Sequence, residues 1–157
     1  MRYKTIVLKC VCLIAFSGYT WFTLDSTVFS RSVSLYYSYK TLPFWSYAAI
    51  LGGKKSLIKE NLLNVALFVP IGFLLYYMFP KKRWWIAYIL GLGLSLGIEL
   101  MQLEWKKGTC EFDDVFHNTI GCIFGYFVAS TLMVALKKRN SLYEHESHSL
   151  NEYEDNN

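Results

Sequence analysis

The run from Lys106 to Leu136, "KKGTCEFDDVFHNTIG" continuing directly into "CIFGYFVASTLMVAL", sets acids, a histidine and an amide at the mouth of an apolar segment. From Val115 to Leu136 that segment is polar only at its start. A bilayer core about 30 Å thick needs roughly 20 apolar residues in helical form, and this stretch supplies them. Three further segments reach that length: Ile6–Leu24, Leu62–Phe79 and Trp84–Leu103. Lys9 stands near one end of the first, where its stem can snorkel. Basic clusters ("PKKR", "KKR") close the second and fourth, and Trp84, Trp85 and Trp105 bracket the third, as aromatics do at membrane interfaces. The expected fold is an all-α integral membrane bundle of about four transmembrane helices, with a polar pocket at the extracytoplasmic surface.

Composition points the same way. At 54% hydrophobic and 18% charged, the 157 residues are too apolar for an average soluble domain. A net charge of +4, spread in short clusters, gives no footprint for nucleic acid. Cys10, Cys12 and Cys122 fall in apolar runs and Cys110 in a polar loop, so they form neither a disulfide framework nor a metal spacing. The C-x-C pair Cys10 and Cys12 reads as buried thiols.

The chain divides into an N-terminal anchor (1–25), an aromatic-rich extracytoplasmic segment (26–59), a three-helix core (60–136, with spans 62–79, 84–103 and 115–136) and a tail (137–157). Within the second, "LYYSYKTLPFWSYAAI" reads as an interfacial stretch, or as a lipid or sugar platform beside the pocket. The tail is polar and acidic with little to bury, which predicts a disordered cytoplasmic segment. "AFS" at Ala15–Ser17 resembles a signal-peptide cleavage site, but the apolar run continues to Leu24, which favours an uncleaved anchor.

Orientation follows from the flanking basic residues. With the N-terminus inside, Arg2, Lys4, Lys9, Lys81, Lys82, Arg83, Lys137, Lys138 and Arg139 are cytoplasmic. Arg31, Lys40, Lys54, Lys55, Lys59, Lys106 and Lys107 are then outside. The inside loops are shorter and denser in positive charge, so both termini are expected in the cytoplasm.

Alternation of the spans brings the start of the second, the end of the third and the start of the fourth to one side of the membrane, whichever way the chain inserts. Those three places hold the polar residues. The second span begins with Glu60, Asn61 and Asn64. The third carries Gly91, Ser95, Glu99 and Gln102 on one face, with Glu104 opposite. The fourth carries Asp114, His117, Asn118, Gly121 and Gly125 on one broad face, with Asp113 beside them. Polar groups in lipid are costly and should face one another. Gly72, Gly121 and Gly125 let helices approach closely beneath them.

Two readings of these groups compete. In one they cap and join helices: Asp113 or Asp114 as the N-cap of the fourth span, Asn64 and Asn118 as cross-links, His117 as an interfacial side chain. In the other they line a working pocket. Glu99 favours the second, since it lies about a turn inside its span, where a neutral Gln would bond as well at less cost. As chemistry, Glu99 or Asp114 is the candidate general base and His117 its acid–base partner. Glu99, Asp113 and Asp114 are candidate oxygen ligands for Ca²⁺ or Mg²⁺, although no cofactor is otherwise expected. Nucleophilic-serine, P-loop, H-x-x-x-H and C-x-x-C motifs are absent. An ion-coupled transporter is a further possibility, opposed in a monomer by the lack of mid-membrane charge.

"ENLLNVALFVPIGFLL" (Glu60–Leu75), "SLGIELMQ" (Ser95–Gln102) and "GTCEFDDVFHNTIGCIFGY" (Gly108–Tyr126) together resemble the VanZ-like family, over roughly Leu42 to Leu136. Its polar signature falls on Asn64, Pro70 and Gly72, on Glu99 and Gln102, and on Asp113, Asp114, Asn118 and Gly121. The resemblance implies a bacterial envelope protein that lowers sensitivity to teicoplanin-like glycopeptides. Its partners would be the lipid bilayer and a wall precursor, a teichoic-acid group or a lipoglycopeptide. Members often carry Arg ahead of the acidic turn. Here Lys107 stands there, replacing a bidentate guanidinium with a single ammonium.

Overall fold

Long apolar segments with few breakers fold as long helices, and four of them make up most of the chain. The computed structural model describes residues 2–79 and 83–155. The first helix, α1 (Arg2–Leu24), runs on through a π-helical turn, Asp25–Phe29. A two-residue strand β1 (Tyr39–Lys40) and a short helix α2 (Trp45–Leu51) precede α3 (Ser56–Met78) and α4 (Trp84–Glu104). A second short strand, β2 (Cys110–Glu111), leads directly into α5 (Phe112–Asp155). The 23 residues of α3 extend roughly 35 Å at 1.5 Å per residue, enough to cross a bilayer. Four helices meet the length and apolarity of a membrane span: Ile6–Phe29, Ser56–Met78, Trp84–Glu104 and Phe112–Tyr143. Leu62, Leu63, Leu100, Phe124 and Val134 point outward from the bundle, forming an apolar jacket suited to acyl chains.

The bundle is built around α3 and α5, with α4 against α5 and α1 against α3. Glycine makes the central pairing possible. A Cβ on Gly121 would overlap the Val65 carbonyl, one on Gly125 the Val69 carbonyl, and one on Gly72 the Cys122 carbonyl. The contacts step by four residues along both helices, so the two backbones lie in register against each other. Gly91 of α4 admits the Cys122 side chain in the same way, at 2.7 Å from where its Cβ would be. Phe68, Ile71, Leu75, Ala87, Ile98 and Tyr126 complete the buried core. Pro70 leaves the Ala66 carbonyl without its helical donor. One residue on, the Leu67 carbonyl accepts the Tyr19 hydroxyl of α1 at 3.2 Å. At the end of α3, Tyr126 donates to the Phe79 carbonyl and accepts from the Arg83 amide, both at 3.0 Å. Lys81 and Lys82 of the adjacent basic cluster lie outside the described residues.

The boundaries differ from the sequence reading in two places. Glu60 and Asn61 lie inside α3, which begins at Ser56. The backbone of α5 continues as helix to Asp155, where a disordered tail is expected from composition. Residues 126–155 contain neither Gly nor Pro, so nothing local interrupts the helix that the apolar span starts.

At the polar end, β1 and β2 pair in parallel, with Tyr39 opposite Cys110 and Lys40 opposite Glu111. The Cys110 amide donates to the Ser38 carbonyl at 3.0 Å. The Ser38 and Thr109 hydroxyls meet at 3.0 Å. Lys40 pairs with Glu111 at 3.0 Å and covers the Trp45 ring. This clip ties the segment after α1 to the turn between α4 and α5.

Candidate functional site

A helix end leaves carbonyls without partners, and the π turn after α1 adds to them. Thr23, Ser26 and Thr27 take some of the load by bonding back to the helix, Thr27 Oγ1 to the Thr23 carbonyl at 2.7 Å. Two residues expected in the pocket take the rest. Gln102 Nε2 donates to the Thr27 carbonyl at 3.1 Å, and Lys107 Nζ donates to the Phe29 carbonyl at 2.8 Å. Lys107 therefore caps a helix end, as cations near C-termini do. It does not line the cavity described below.

Asp113 also has a structural post. Its Oδ1 accepts the Phe44 amide at 2.6 Å, and its Oδ2 accepts the Ser46 amide at 2.9 Å and the Ser46 hydroxyl at 2.6 Å. The carboxylate thus caps the N-terminus of α2 from another helix, and it is 1% exposed. Phe44 holds a left-handed φ of 59°, a strained setting for an aromatic residue. The Asp113 bond and edge-on packing against Phe116 secure it there. His117, a turn further along α5, meets the Tyr47 hydroxyl of α2 through Nε2 at 2.9 Å. Neither Asp113 nor His117 lines the cavity described next.

That cavity has a volume of about 590 Å³. Its walls come from the end of the first span (Ser26, Thr27, Arg31), the start of α3 (Leu57, Glu60, Asn61, Leu63, Asn64, Leu67), the turn before β2 (Gly108, Thr109), Glu111 and Asp114. Glu60, Asn61, Asn64 and Asp114 are thus brought together from two helices. Asn61 also donates to the Ser46 hydroxyl at 3.2 Å, joining the cavity wall to the α2 cap. Within 4 Å, the one ion pair among the described residues is Lys40–Glu111, so Arg31, Glu60 and Asp114 carry no such partner.

Glu99, Ser95 and Asn118 lie deeper. Glu99 is 3% exposed, and its Oε2 accepts the Glu111 amide at 2.8 Å, supporting β2 from below. Asn118 Nδ2 donates to the Ser95 hydroxyl at 2.9 Å and joins α5 to α4. The trio weighed as cation ligands is divided: Asp113 faces α2, Asp114 faces the cavity and Glu99 faces β2. Among the described residues no three His, Cys, Asp or Glu side chains gather as a metal site does.

Cys110, in the clip, is a free, half-buried thiol. Burial pushes its pKa up, and the charges of Glu99, Asp114 and Glu111 push it further.

Arg31 is the residue that sequence reasoning passes over. It lies seven residues beyond Leu24 with no periodicity to mark it, and counts there only as one outside cation. In the fold it stands over Gly108, whose φ of 133° only glycine adopts freely. A Cβ there would sit 2.7 Å from Arg31 Nη1. A guanidinium thus occupies the neighbourhood where the family resemblance implies one, supplied from 76 residues upstream of Lys107.

Four apolar helices, three of them joined through glycine contacts, with a small extramembrane cap at one end, define a polytopic α-helical membrane protein. A family model described as VanZ/LLP1 matches residues 5–134, and the chain belongs to that family. The match begins within α1, so the family domain takes in the first span as well as the three-helix core. No curated protein and no solved structure matches the chain.

Proposed function

We propose that this VanZ/LLP1 protein lowers bacterial susceptibility to teicoplanin-like glycopeptide and lipoglycopeptide antibiotics by binding a wall or lipid component in its polar cavity. The cavity opens on the outer face of the membrane, an orientation supported by the density of basic residues in the short loops on the other side. The observation that carries the reading is Asp114, a carboxylate in the wall of a cavity of about 590 Å³, with no ion-pair partner among the described residues. Asp113, one residue away, instead spends both carboxylate oxygens on the amides and hydroxyl at the start of α2.

Binding is favoured over chemistry because the candidate acid–base groups do not share one space. His117 is engaged with Tyr47 and Asp113 with α2, which leaves Asp114 without the histidine partner that acid–base work would use.

The test is deletion followed by complementation. Loss of the protein should raise susceptibility to teicoplanin and to lipoglycopeptides more than to simple glycopeptides, with unchanged membrane-lipid and muropeptide profiles. Asp114→Asn, present at normal level, should behave as the deletion does. A new lipid or muropeptide species in the deletion strain would favour an enzyme instead, and full protection by Asp114→Asn would remove the cavity from the account.

A further inference from the structure

We infer that the cavity recognises a phosphodiester carrying a primary ammonium, a zwitterionic headgroup rather than a simple cation or anion. This rests on the reading of the cavity as a binding site and names its ligand class.

Two observations carry it. Arg31 brings a guanidinium to a wall that also holds carboxylates, yet pairs with none of them within 4 Å. A planar fork of N–H donors left free in this way suits a phosphate, which it grips through two parallel bonds. Next, Glu60 and Asp114 are the remaining charges without an ion pair, since Glu111 is held by Lys40. They match an ammonium.

One guanidinium against two carboxylates leaves the free lining acidic by one charge. A bare anion would then be repelled by the carboxylates, and a bare cation would leave Arg31 unused. A ligand with both signs satisfies both. The shared chemistry occurs in lipid headgroups and in water-soluble polymer units alike.

The test uses the full chain in phosphatidylcholine nanodiscs. Soluble glycerophosphoethanolamine, glycerol 3-phosphate and ethanolamine are titrated separately, and phosphatidylethanolamine is included in the bilayer in a parallel experiment read by native mass spectrometry. Glycerophosphoethanolamine should bind at least about tenfold more tightly than either half-molecule, the scale of one charge-assisted bidentate contact. Arg31→Gln, at an exposed position, should abolish that advantage while sparing ethanolamine, and Arg31→Lys should keep part of it. Asp114→Asn should spare glycerol 3-phosphate and lose the ammonium contribution. Retention of the lipid without binding of the soluble zwitterion assigns the bilayer as the source, and the reverse assigns a soluble unit.

Equal affinity for ethanolamine alone, or an unchanged profile in Arg31→Gln, would overturn the inference. Headgroup binding without any change in antibiotic susceptibility would leave the inference standing and sink the proposed function.

Discussion

Asp113 and Asp114 are neighbours in sequence and face opposite assignments across the first turn of α5. On one side, Asp113 and His117 turn toward α2, where three hydrogen bonds and a Tyr47 contact spend their polarity on structure. On the other, Asp114 enters a cavity with no ion-pair partner. The difference separates two jobs that a carboxylate at a helix start can do. A cap needs amides within reach, and the loop through Phe44 and Ser46 delivers them to one side only. What is left on the other side is a carboxylate in the cavity wall, without an ion pair among the described residues.

Mutation should separate the two acids, with the largest effect on stability at Asp113. Asp113→Ala removes an acceptor from two amides and a hydroxyl, and should destabilise by about 2–4 kcal/mol. Thermal melting in detergent and the amount of protein reaching the membrane both report it, and an unchanged melt would show that α2 does not depend on the cap. His117→Phe keeps the ring and leaves the Tyr47 hydroxyl unpaired, at a cost of about 1 kcal/mol. Asp114→Asn should leave the melt within about 0.5 kcal/mol of the parent while protection against teicoplanin is lost. If it destabilises as much as Asp113→Ala, the two faces do the same work and the distinction fails. Glu104→Gln, exposed at the end of α4, should alter neither.

Cys110 sharpens the same comparison through pH. The raised thiol pKa means that maleimide labelling should rise with pH over a range shifted upward from that of an ordinary cysteine. Asp114 contributes to that shift, so Asp114→Asn should lower the pKa and speed labelling at neutral pH by roughly two- to fivefold. Asp113→Asn should have no such effect, because Asp113 is not among the charges that raise the thiol. An impermeant reagent should label Cys110 in intact cells. Labelling confined to permeabilised cells would reverse the orientation and leave the contrast between the two acids untouched.

The spans were legible from hydropathy because a bilayer demands an unbroken apolar length, and Gly121 and Gly125 were legible because close helix approach needs small residues at a spacing of four. The convergence of Glu60, Asn64 and Asp114 followed from alternation of the helices. Sorting Asp113 from Asp114 was not legible, since both sit in one helical turn and the outcome depends on the path of a loop about 70 residues earlier. The same holds for Gln102 and Lys107. Their partners are backbone carbonyls at Thr27 and Phe29, and the π turn that presents those carbonyls has no sequence signal beyond a run of Ser and Thr. Arg31 escaped because a single loop residue has no period, and only the left-handed turn at Gly108 gives it a place.

The strand clip has a consequence for the order of biosynthesis. Ser38 meets Thr109 across 71 residues, and Asp113 reaches back 67 and 69 residues to Ser46 and Phe44. At about 5–20 residues per second, the ribosome leaves the exposed aromatic segment without these partners for roughly 4–14 s. The segment emerges early, waits through two membrane insertions, and docks only when the start of α5 arrives. The cavity consequently gains its last wall, Asp114, only at the start of α5, so a chain stalled before Asp113 would hold three inserted helices and a cavity open on that side.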